Sequence, residues 1–351
     1  MEQLNEVLGY IKTYLKTNKD LSQLLTGKGS FINCFNHKTH RLHGRVDTLG
    51  ANTFRMTHNS PNITQLSKDK EFRELLCVPK NKLLVDVDAN ALELVMLGHY
   101  LGKYDNYFYA KAVDSGKKED KTDIHSINQK VVGLATRDAA KTFIYMTIYG
   151  GGAAKIGNAI CDNIDFKYSK KEYDETKKLL ELRVVSLNGK KYFPINKNAL
   201  TPFTNELVLK TIYGIRAIKK FRTGTKGYNE LYNECQKMVN SNSFYGLDGR
   251  KLNPRSPHSA FNLLLQSAGA IYMKYVLINI SKQLSSLYTH GKEYAFVANI
   301  HDAINIEIIP EIKNEIDEIL KSTFISTSHD LGLKYPVYGE PHFGANQYET
   351  H

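Results

Sequence analysis

The residues from Arg137 to Gly152 combine cations, phenols and glycines at a spacing that could hold a nucleotide. Four of these side chains fall four residues apart: Arg137, Lys141, Tyr145 and Tyr149. Because an α-helix brings residues four apart to one stripe, two cations would precede two aromatic rings. Cations fit phosphates, and the rings fit a base and a sugar. The same spacing suits an amphipathic helix whose Arg and Lys cover buried tyrosines, so spacing alone favours neither interpretation.

Two aspartates are predicted on rigid β structure, far apart in the chain. Asp88 follows the apolar run 83–87 and precedes helical spacing at 91–101, so it lies at a strand-to-helix junction. Asp302 lies at or near a tight bend between two strands in residues 293–310. A carboxylate that closes an apolar strand is costly to bury unless it is paired, and a divalent cation is a usual partner.

Other polar side chains are predicted on elements that could position them. Asp123 is a candidate N-cap with His125 close behind it, directly before the helix that begins near Arg137. On the long apolar helix 256–284, Asn262 and Gln266 lie four residues apart and share a face. Their amides could be satisfied inside the protein or could read base edges.

The composition favours a polyanionic partner and gives no sign of a membrane or a metal-binding cysteine cluster. The formal charge is +11 and the pI is about 9.2. No uninterrupted apolar run reaches the ~18 residues that would span a bilayer, and the N-terminus resembles neither a signal nor a transit peptide. The four cysteines lack CxxC spacing and indicate a reducing compartment. We therefore expect a cytoplasmic protein.

Two flanking regions are predicted from their patterns. Residues 2–16 place Leu4, Val7, Leu8, Ile11 and Leu15 on one helical face, which predicts a packing helix. Residues 162–218 contain a charged helix and the hairpin signal Asn188-Gly189.

Three motifs together resemble the signatures of family-A DNA polymerases. They are DxxxxEL at 88–94, RDxAKTFIYxxxYG at 137–150, and HD inside an apolar hairpin at 301–302. The segments GxANTFRMTHNSPNITQL, DIHSINQ, GLDGRK and RSPHSAFNLLLQSAGA also fit in the right order. The resemblance covers roughly residues 41–160 and 220–348 and is greatest to replicative polymerases of short-tailed bacteriophages; such a phage enzyme would act in the host cytoplasm.

The resemblance implies an α+β fold of the right-hand polymerase type. It implies an N-terminal helical segment at 1–30, a first part of the palm at 31–122, fingers at 123–243 with an insertion at about 162–218, and a second part of the palm at 244–351. The thumb and exonuclease domains that family members usually carry are expected to be lacking. A second protein chain supplying them, as in a split polymerase, is therefore expected, with a minimal stand-alone enzyme as the alternative.

The resemblance also assigns roles to the chemistry-bearing residues. Asp88 and Asp302, with the Ala89 carbonyl, are expected to hold two Mg²⁺ ions, for which Mn²⁺ can substitute. Lys141 is also expected to give a proton to the departing pyrophosphate. The expected ligands of the dNTP are Glu93, His125, Arg137, Lys141 and Tyr145. The expected contacts to primer–template DNA are Arg55, Tyr149, Asn262, Gln266 and His301.

Within this resemblance, Glu93 and Tyr145 bear on sugar selection. The DNA polymerases of this family have a Glu at the position of Glu93, where it fills the space that a ribose 2′-hydroxyl would occupy. The related single-subunit RNA polymerases lack this Glu. Tyr145 stands where many relatives have Phe, which predicts weak discrimination against dideoxynucleotides.

Three departures from the family pattern are Val95 in place of Arg, Ala303 in place of an acidic residue, and Met146 in place of a small residue. Asp86, two residues before Asp88, is a candidate to replace the lost charge. The sequence therefore favours template-directed DNA synthesis. A catalytically weakened DNA-binding or replisome-assembly component is the alternative, and Glu93 argues against an RNA polymerase or primase.

Overall fold

The computed structural model describes residues 2–161, 167–196, 199–300 and 302–350. Helices make up most of the regular structure. Their bounds are α1 Glu2–Leu21, α2 Phe31–Cys34, α3 Lys70–Arg73, α4 Leu92–Asp105, α5 Phe108–Ser115, α6 Ile124–Val132, α7 Arg137–Ile148, α8 Ala153–Ile160, α9 Lys170–Glu181, α10 Asn205–Gly224, α11 Tyr228–Asn240, α12 Ala260–Leu287 and α13 Lys313–Asp330.

The strands form antiparallel sheets. Their bounds are β1 Phe35–Asn36, β2 Arg41–Leu42, β3 Arg45–Asp47, β4 Thr57–Asn59, β5 Leu83–Ala89, β6 Val185–Leu187, β7 Lys190–Asn196, β8 Ala199–Pro202, β9 Tyr294–Ile300, β10 Ala303–Ile308 and β11 Gly339–Gly344. The largest sheet has the order β11-β5-β10-β9, and a smaller one has the order β6-β7-β8. This mixture of helices with antiparallel sheets confirms the α+β fold class.

The chain divides into two compact units. The first contains residues 1–92, 267–332 and 336–351, and the second contains residues 93–266 and 333–335. Two of the boundaries fall within α4 and α12, and the other two flank residues 333–335.

The first unit is built on the four-stranded sheet, with β5 and β10 at its centre. Alternate residues of β5 point to opposite faces, so Asp86 and Asp88 share a face while Val85 and Val87 lie on the other. A Cβ on Gly339, which is in register with Ala89, would come within 2.6 Å of the Phe324 ring of α13. The helix α13 therefore packs on the face opposite Asp88.

Two long-range contacts fix other elements of this unit to the sheet and to each other. The Arg41 guanidinium makes two hydrogen bonds, of 2.7 and 3.0 Å, to the buried Glu307 carboxylate of β10. The buried Tyr272 hydroxyl of α12 donates to the Phe324 carbonyl of α13 at 2.7 Å. By length and composition α12 could cross a membrane. However, 67% of its most apolar 18-residue stretch is buried inside the protein, as expected for a core helix.

The second unit is mainly helical. A Cβ on Gly157 of α8 would lie 1.8 Å from the Lys210 carbonyl, and one on Gly214 of α10 would lie 2.1 Å from the Ala153 carbonyl. Glycine at both positions lets the two helices approach at backbone distance. The rings of Phe143 and Phe221 meet edge to face at 5.6 Å and tie α7 to α10.

The predicted insertion packs with Ala154 of α8 around one apolar cluster within this unit. The hairpin signal Asn188-Gly189 is confirmed, since both residues have positive φ in the turn that joins β6 to β7. Ser169 and Glu172 form a capping box at the start of α9. The buried cluster consists of Ala154, Leu180, Phe193, Leu207, Val208 and Ile212.

One expectation about packing is wrong at the positions whose side chains are described. The apolar face of the N-terminal helix was expected to be buried, yet Val7, Ile11 and Leu15 of α1 are exposed, Leu15 by 62%. The side chains of Leu4 and Leu8 lie outside the described part of the chain. Periodicity shows that a helix has an apolar face, but it does not show that another element covers that face.

Candidate active site

The two candidate metal-binding aspartates lie at the adjoining ends of neighbouring strands, one within a strand and one just before the next. Asp88 is the penultimate residue of β5 and is exposed, and Asp302 lies in the turn just before β10. Ala303, the residue after Asp302, is directly opposite Asp88 in the antiparallel register. The Ala89 N–H donates to the Asp302 carbonyl at 3.2 Å, so a backbone hydrogen bond fixes one aspartate against the strand end that carries the other.

Arg55 joins this pair. Its Nη2 lies 3.6 Å from the Asp302 Oδ1, and both side chains are mostly buried. His301, the other residue of the HD motif, lies outside the described residues.

The donor set fits Mg²⁺. Two carboxylates and a backbone carbonyl are hard oxygen ligands, and Mg²⁺ in polymerase-type sites is held by one or two carboxylates together with substrate phosphates and water. Across residues 2–161, 167–196, 199–300 and 302–350 there is no group of three or more His, Cys, Asp and Glu that could hold a metal ion by themselves. Asp88 and Asp302 would therefore share any metal with substrate and solvent.

Asp86, the candidate to replace the charge missing at Ala303, is buried in the sheet. It is 3% exposed, opposite Asn305 and His342 in the sheet register. Burial, reinforced by the negative charge of Asp88, raises the pKa of Asp86 to about 7. The sequence shows that the two aspartates share a face, but the neighbouring strands that desolvate Asp86 come from distant segments.

Glu93 is the second residue of α4 and is 4% exposed. The Tyr149 hydroxyl donates a hydrogen bond to its Oε1. Tyr149 itself follows the last residue of α7, so the helix predicted from Arg137 ends at Ile148 and the fourth member of the stripe is its C-cap. The structure brings these two predicted site residues together although 56 positions separate them.

The cation at the start of α7 is held by an aspartate. Arg137 donates to the Asp123 Oδ1 from Nε at 3.1 Å and from Nη2 at 2.8 Å. Asp123 is confirmed as the N-cap of α6, accepting from the backbone N–H groups of His125 and Ser126. Burial alone would raise the pKa of Asp123, but hydrogen bonds from Ser126 and Arg137 outweigh it and hold the pKa at about 2.

His125 follows this cap and is half-buried. Its ring centroid lies 6.2 Å from that of Tyr145. Burial, followed by the positive charge of Arg137, lowers the pKa of His125 to about 4. Lys141, one turn along α7 from Arg137, is exposed. The second unit thus brings Arg137, His125 and Tyr145 together on α6 and α7.

Asn262 and Gln266 lie in the first two turns of α12, and both are half-buried. The Asn262 Nδ2 donates to the carbonyl of Ile148 and, at 3.4 Å, to that of Thr147. The Asn262 amide nitrogen is thus bonded within the protein at the end of α7, and a contact to DNA stays a prediction for both amides.

Sequence reasoning missed the role of Asp123 as the partner of Arg137. The spacing of 14 residues between Asp123 and Arg137 gave no periodic signal that could have revealed the pair.

Two of the residues that depart from the family pattern lie on helices. Val95 is buried on α4. Nothing in the structure explains Met146, which is half-buried on α7.

An antiparallel sheet that presents two aspartates near the ends of adjacent strands offers oxygen ligands to a divalent cation. The sequence matches the family model for DNA polymerase family A over residues 1–349, and the chain belongs to this family.

Two phage proteins and one solved structure are similar to this chain. The DNA-directed DNA polymerase of Enterobacteria phage T3 is 29% identical over 97% of this chain and 45% of that protein. That of Escherichia phage T7 is 30% identical over 84% of this chain and 39% of that protein. The POL domain of Pol1 from M. smegmatis, solved in complex with DNA primer-template and dNTP, has a TM-score of 0.64 and 14% identity over 93% of this chain and 51% of that chain. The similarity to this POL domain shows that the two chains share a fold. The chain spans less than half the length of the two phage relatives.

Proposed function

We propose that this chain catalyses template-directed DNA synthesis, extending a primer 3′ end with deoxynucleoside triphosphates. The observation that carries this proposal is the pairing of Asp88 and Asp302 on adjacent strands of a family-A chain. In this proposal residues 31–122 and 244–351, which include the four-stranded sheet, form the palm, and residues 123–243, which include α6 and α7, form the fingers.

Asp88 and Asp302, with the Ala89 carbonyl, would hold two Mg²⁺ ions, for which Mn²⁺ can substitute. When bound, these ions stabilise the negative charge that develops on the attacking and leaving oxygens of phosphoryl transfer. The primer 3′-hydroxyl loses its proton to solvent, and its oxygen forms a bond to the α-phosphorus of the dNTP as the bond to pyrophosphate breaks. Lys141 donates a proton to the departing pyrophosphate.

The helix α7 and its neighbours would bind the nucleotide. Arg137 and Lys141 supply positive charge to the triphosphate, and neutral His125 supplies a ring N–H to it. Tyr145 lies beside the sugar and base. Glu93, buried and held by Tyr149, occupies the position that excludes a ribose 2′-hydroxyl.

Contacts to DNA are proposed for five residues. Arg55 and Gln266 would contact the primer–template duplex, and Tyr149 the templating position. Asn262, whose amide is bonded to the end of α7, would also contact the duplex. His301 would contact the primer end.

Primer extension on a labelled primer–template with dNTPs and Mg²⁺ tests the proposal. We expect Asp88→Asn or Asp302→Asn to abolish incorporation, because an amide cannot supply the negative charge that the metal ions require. Asp330→Asn, a matched change on an exposed residue of α13, should leave incorporation unchanged. Preferential use of rNTPs by the wild type would instead indicate an RNA polymerase.

The second candidate is a DNA-binding or replisome component with weakened catalysis, favoured by Ala303 beside Asp88. Salt-sensitive DNA binding without extension, even with the co-encoded replication proteins added, would support this candidate over the first.

We also propose that a second protein chain, supplying thumb or exonuclease functions, acts with this one. Its support is the exposed apolar face of α1, formed by Val7, Ile11 and Leu15 together with the exposed rings of Tyr10 and Tyr14. A pull-down from the native source should recover such a chain, and Ile11→Asp with Leu15→Asp should lose it. Recovery that is insensitive to these substitutions would contradict the assignment to α1.

A further inference from the structure

We propose that Glu340 is a positioning residue of the metal site, where its carboxylate binds the water shell of the ion held by Asp88. This inference rests on the proposed function, because it concerns the metal ions that Asp88 and Asp302 would hold. It identifies an acidic side chain that the three sequence motifs do not contain.

The sheet register places Glu340 beside Asp88. The two residues are directly opposite each other on β11 and β5. Directly opposite residues of an antiparallel pair share a face and have Cβ atoms about 4.5–5.5 Å apart. On the other side of Asp88 the opposite residue is Ala303, which has only a methyl group. Glu340 of β11, Asp88 of β5 and Ala303 of β10 therefore lie side by side across the sheet. The negative charge next to Asp88 comes from Glu340 on β11.

Asn90 holds the Glu340 carboxylate towards the end of β5. Its Nδ2 donates to the Glu340 Oε1 at 2.6 Å, and its backbone N–H donates to the Tyr338 carbonyl at 2.9 Å. Asn90 is two residues after Asp88, so the loop that follows one metal-binding residue is tied at two points to β11. An ionised carboxylate has about four acceptor positions, so one bond from Asn90 leaves capacity for water.

The other carboxylates on this face of β5, β10 and β11 are occupied differently. Asp86 is buried inside the sheet. Glu307 is buried and bound twice by Arg41. Glu340, in contrast, is exposed next to the exposed Asp88. Among the described residues of these three strands, Glu340 is thus the carboxylate beside Asp88 that solvent and hydrated ions can reach.

The geometry assigns Glu340 to the water shell instead of to the metal ion. No group of three acidic or histidine side chains in the described parts of the chain is close enough to hold one ion. A carboxylate that accepts hydrogen bonds from metal-bound water orients that water and adds a negative charge near the ion. Removal of such outer partners typically weakens metal affinity by about 10- to 100-fold.

Mn²⁺ binding provides a test that does not depend on polymerase activity. The full chain is titrated with Mn²⁺ and free Mn²⁺ is followed by electron paramagnetic resonance, with Asp88→Ala defining the signal of this site. We expect Glu340→Gln to raise the Mn²⁺ dissociation constant by about tenfold, and Glu340→Asp, which keeps the charge, to restore part of the affinity. Glu318→Gln, the same change on an exposed residue of α13, should match the wild type.

The Mg²⁺ dependence of primer extension gives a second measurement. Glu340→Gln should raise the Mg²⁺ concentration for half-maximal rate by a similar factor, with the rate largely recovered at saturating Mg²⁺. Unchanged Mn²⁺ affinity in Glu340→Gln, or the absence of an Asp88-dependent Mn²⁺ site in the wild type, would overturn the inference. Glu340-dependent Mn²⁺ binding in a chain that does not extend primers would support the inference while contradicting the proposed function.

Discussion

The hydroxyl of Tyr149 donates a hydrogen bond to the carboxylate of Glu93, linking the end of α7 to the start of α4. Glu93 is buried, whereas Tyr149 is 44% exposed. A buried carboxylate needs such partners, because an uncompensated charge inside a protein is costly. The residue proposed to exclude the ribose 2′-hydroxyl is therefore held in place by the C-cap residue of α7, the helix proposed to bind the nucleotide.

Removal of this hydroxyl should relax sugar selection. We expect Tyr149→Phe to lower discrimination against ribonucleotides by about 10- to 100-fold, since a hydrogen bond to a charged group contributes about 1.5–3 kcal/mol. Incorporation of each rNTP and its matching dNTP in single-nucleotide extension measures the ratio. Tyr14→Phe, at an exposed position of α1, is the control, and an unchanged ratio in Tyr149→Phe would contradict the role of this contact.

The hydroxyl of Tyr145 should govern the response to dideoxynucleotides. It is proposed to lie near the sugar 3′ position, where it can replace an interaction that a dideoxynucleotide lacks. We expect the wild type to incorporate ddNTPs readily and Tyr145→Phe to reject them by about tenfold more, which corresponds to one hydrogen bond of about 1.4 kcal/mol. A chain-termination assay with Tyr348→Phe as control measures this. Strong rejection of ddNTPs by the wild type would refute the assignment.

Local patterns were sufficient to predict the elements that carry the site. The apolar run before Asp88 gave β5, and the Asp123 cap gave α6. The four-residue spacing from Arg137 gave α7, and the Asn188-Gly189 pair gave the insertion hairpin. Each of these signals lies within one element or one turn, where propensity and periodicity act.

Pairings between distant segments could not be predicted in the same way. Arg41 and Glu307 are 266 residues apart, and the neighbours that bury Asp86 come from β10 and β11. The position of Glu340 beside Asp88 depends on a strand register that no local pattern encodes. The apolar face of α1 could be predicted from local spacing. Its exposure could not, because exposure depends on whether a distant segment packs against that face.

The protonation of His125 should respond to a bound polyanion. Arg137 and Lys141 disfavour its charged form, Asp123 and Asp138 favour it, and burial dominates to lower the pKa to about 4. Carbon-13 NMR of labelled histidine, assigned with His125→Gln, should show a neutral ring at pH 5. Inorganic triphosphate should raise this pKa, because it offsets the two cations.

The same shift determines how His125 affects stability. Its folded-state pKa lies below the unfolded value of about 6.5, so the unfolded chain binds more protons between about pH 4 and 6.5. Stability therefore falls as the pH drops through this window, and His125→Gln should lessen that fall. A pKa near 6.5 that does not respond to triphosphate would contradict both expectations.

The stability of the insertion should depend on the buried face of its three-stranded sheet, which carries Phe193. Phe193 of β7 is 3% exposed in the cluster with Leu180 and Val208, and the Arg183 guanidinium lies 5.3 Å above its ring. We expect Phe193→Ala to cost about 3–5 kcal/mol, as is typical for a buried aromatic ring. Leu187→Ala, at an exposed position of β6, should cost less than about 0.5 kcal/mol.

Hydrogen exchange followed by mass spectrometry can locate the effect of Phe193→Ala. Peptides from β6, β7 and β8 should lose protection, whereas peptides from β5 and β10 should keep it, because the cluster around Phe193 and the four-stranded sheet belong to different units. Equal loss of protection in both sheets would show that they unfold together. In that case the insertion would contribute to the stability of the strands that carry Asp88 and Asp302, and its loss would impair catalysis without any contact to substrate.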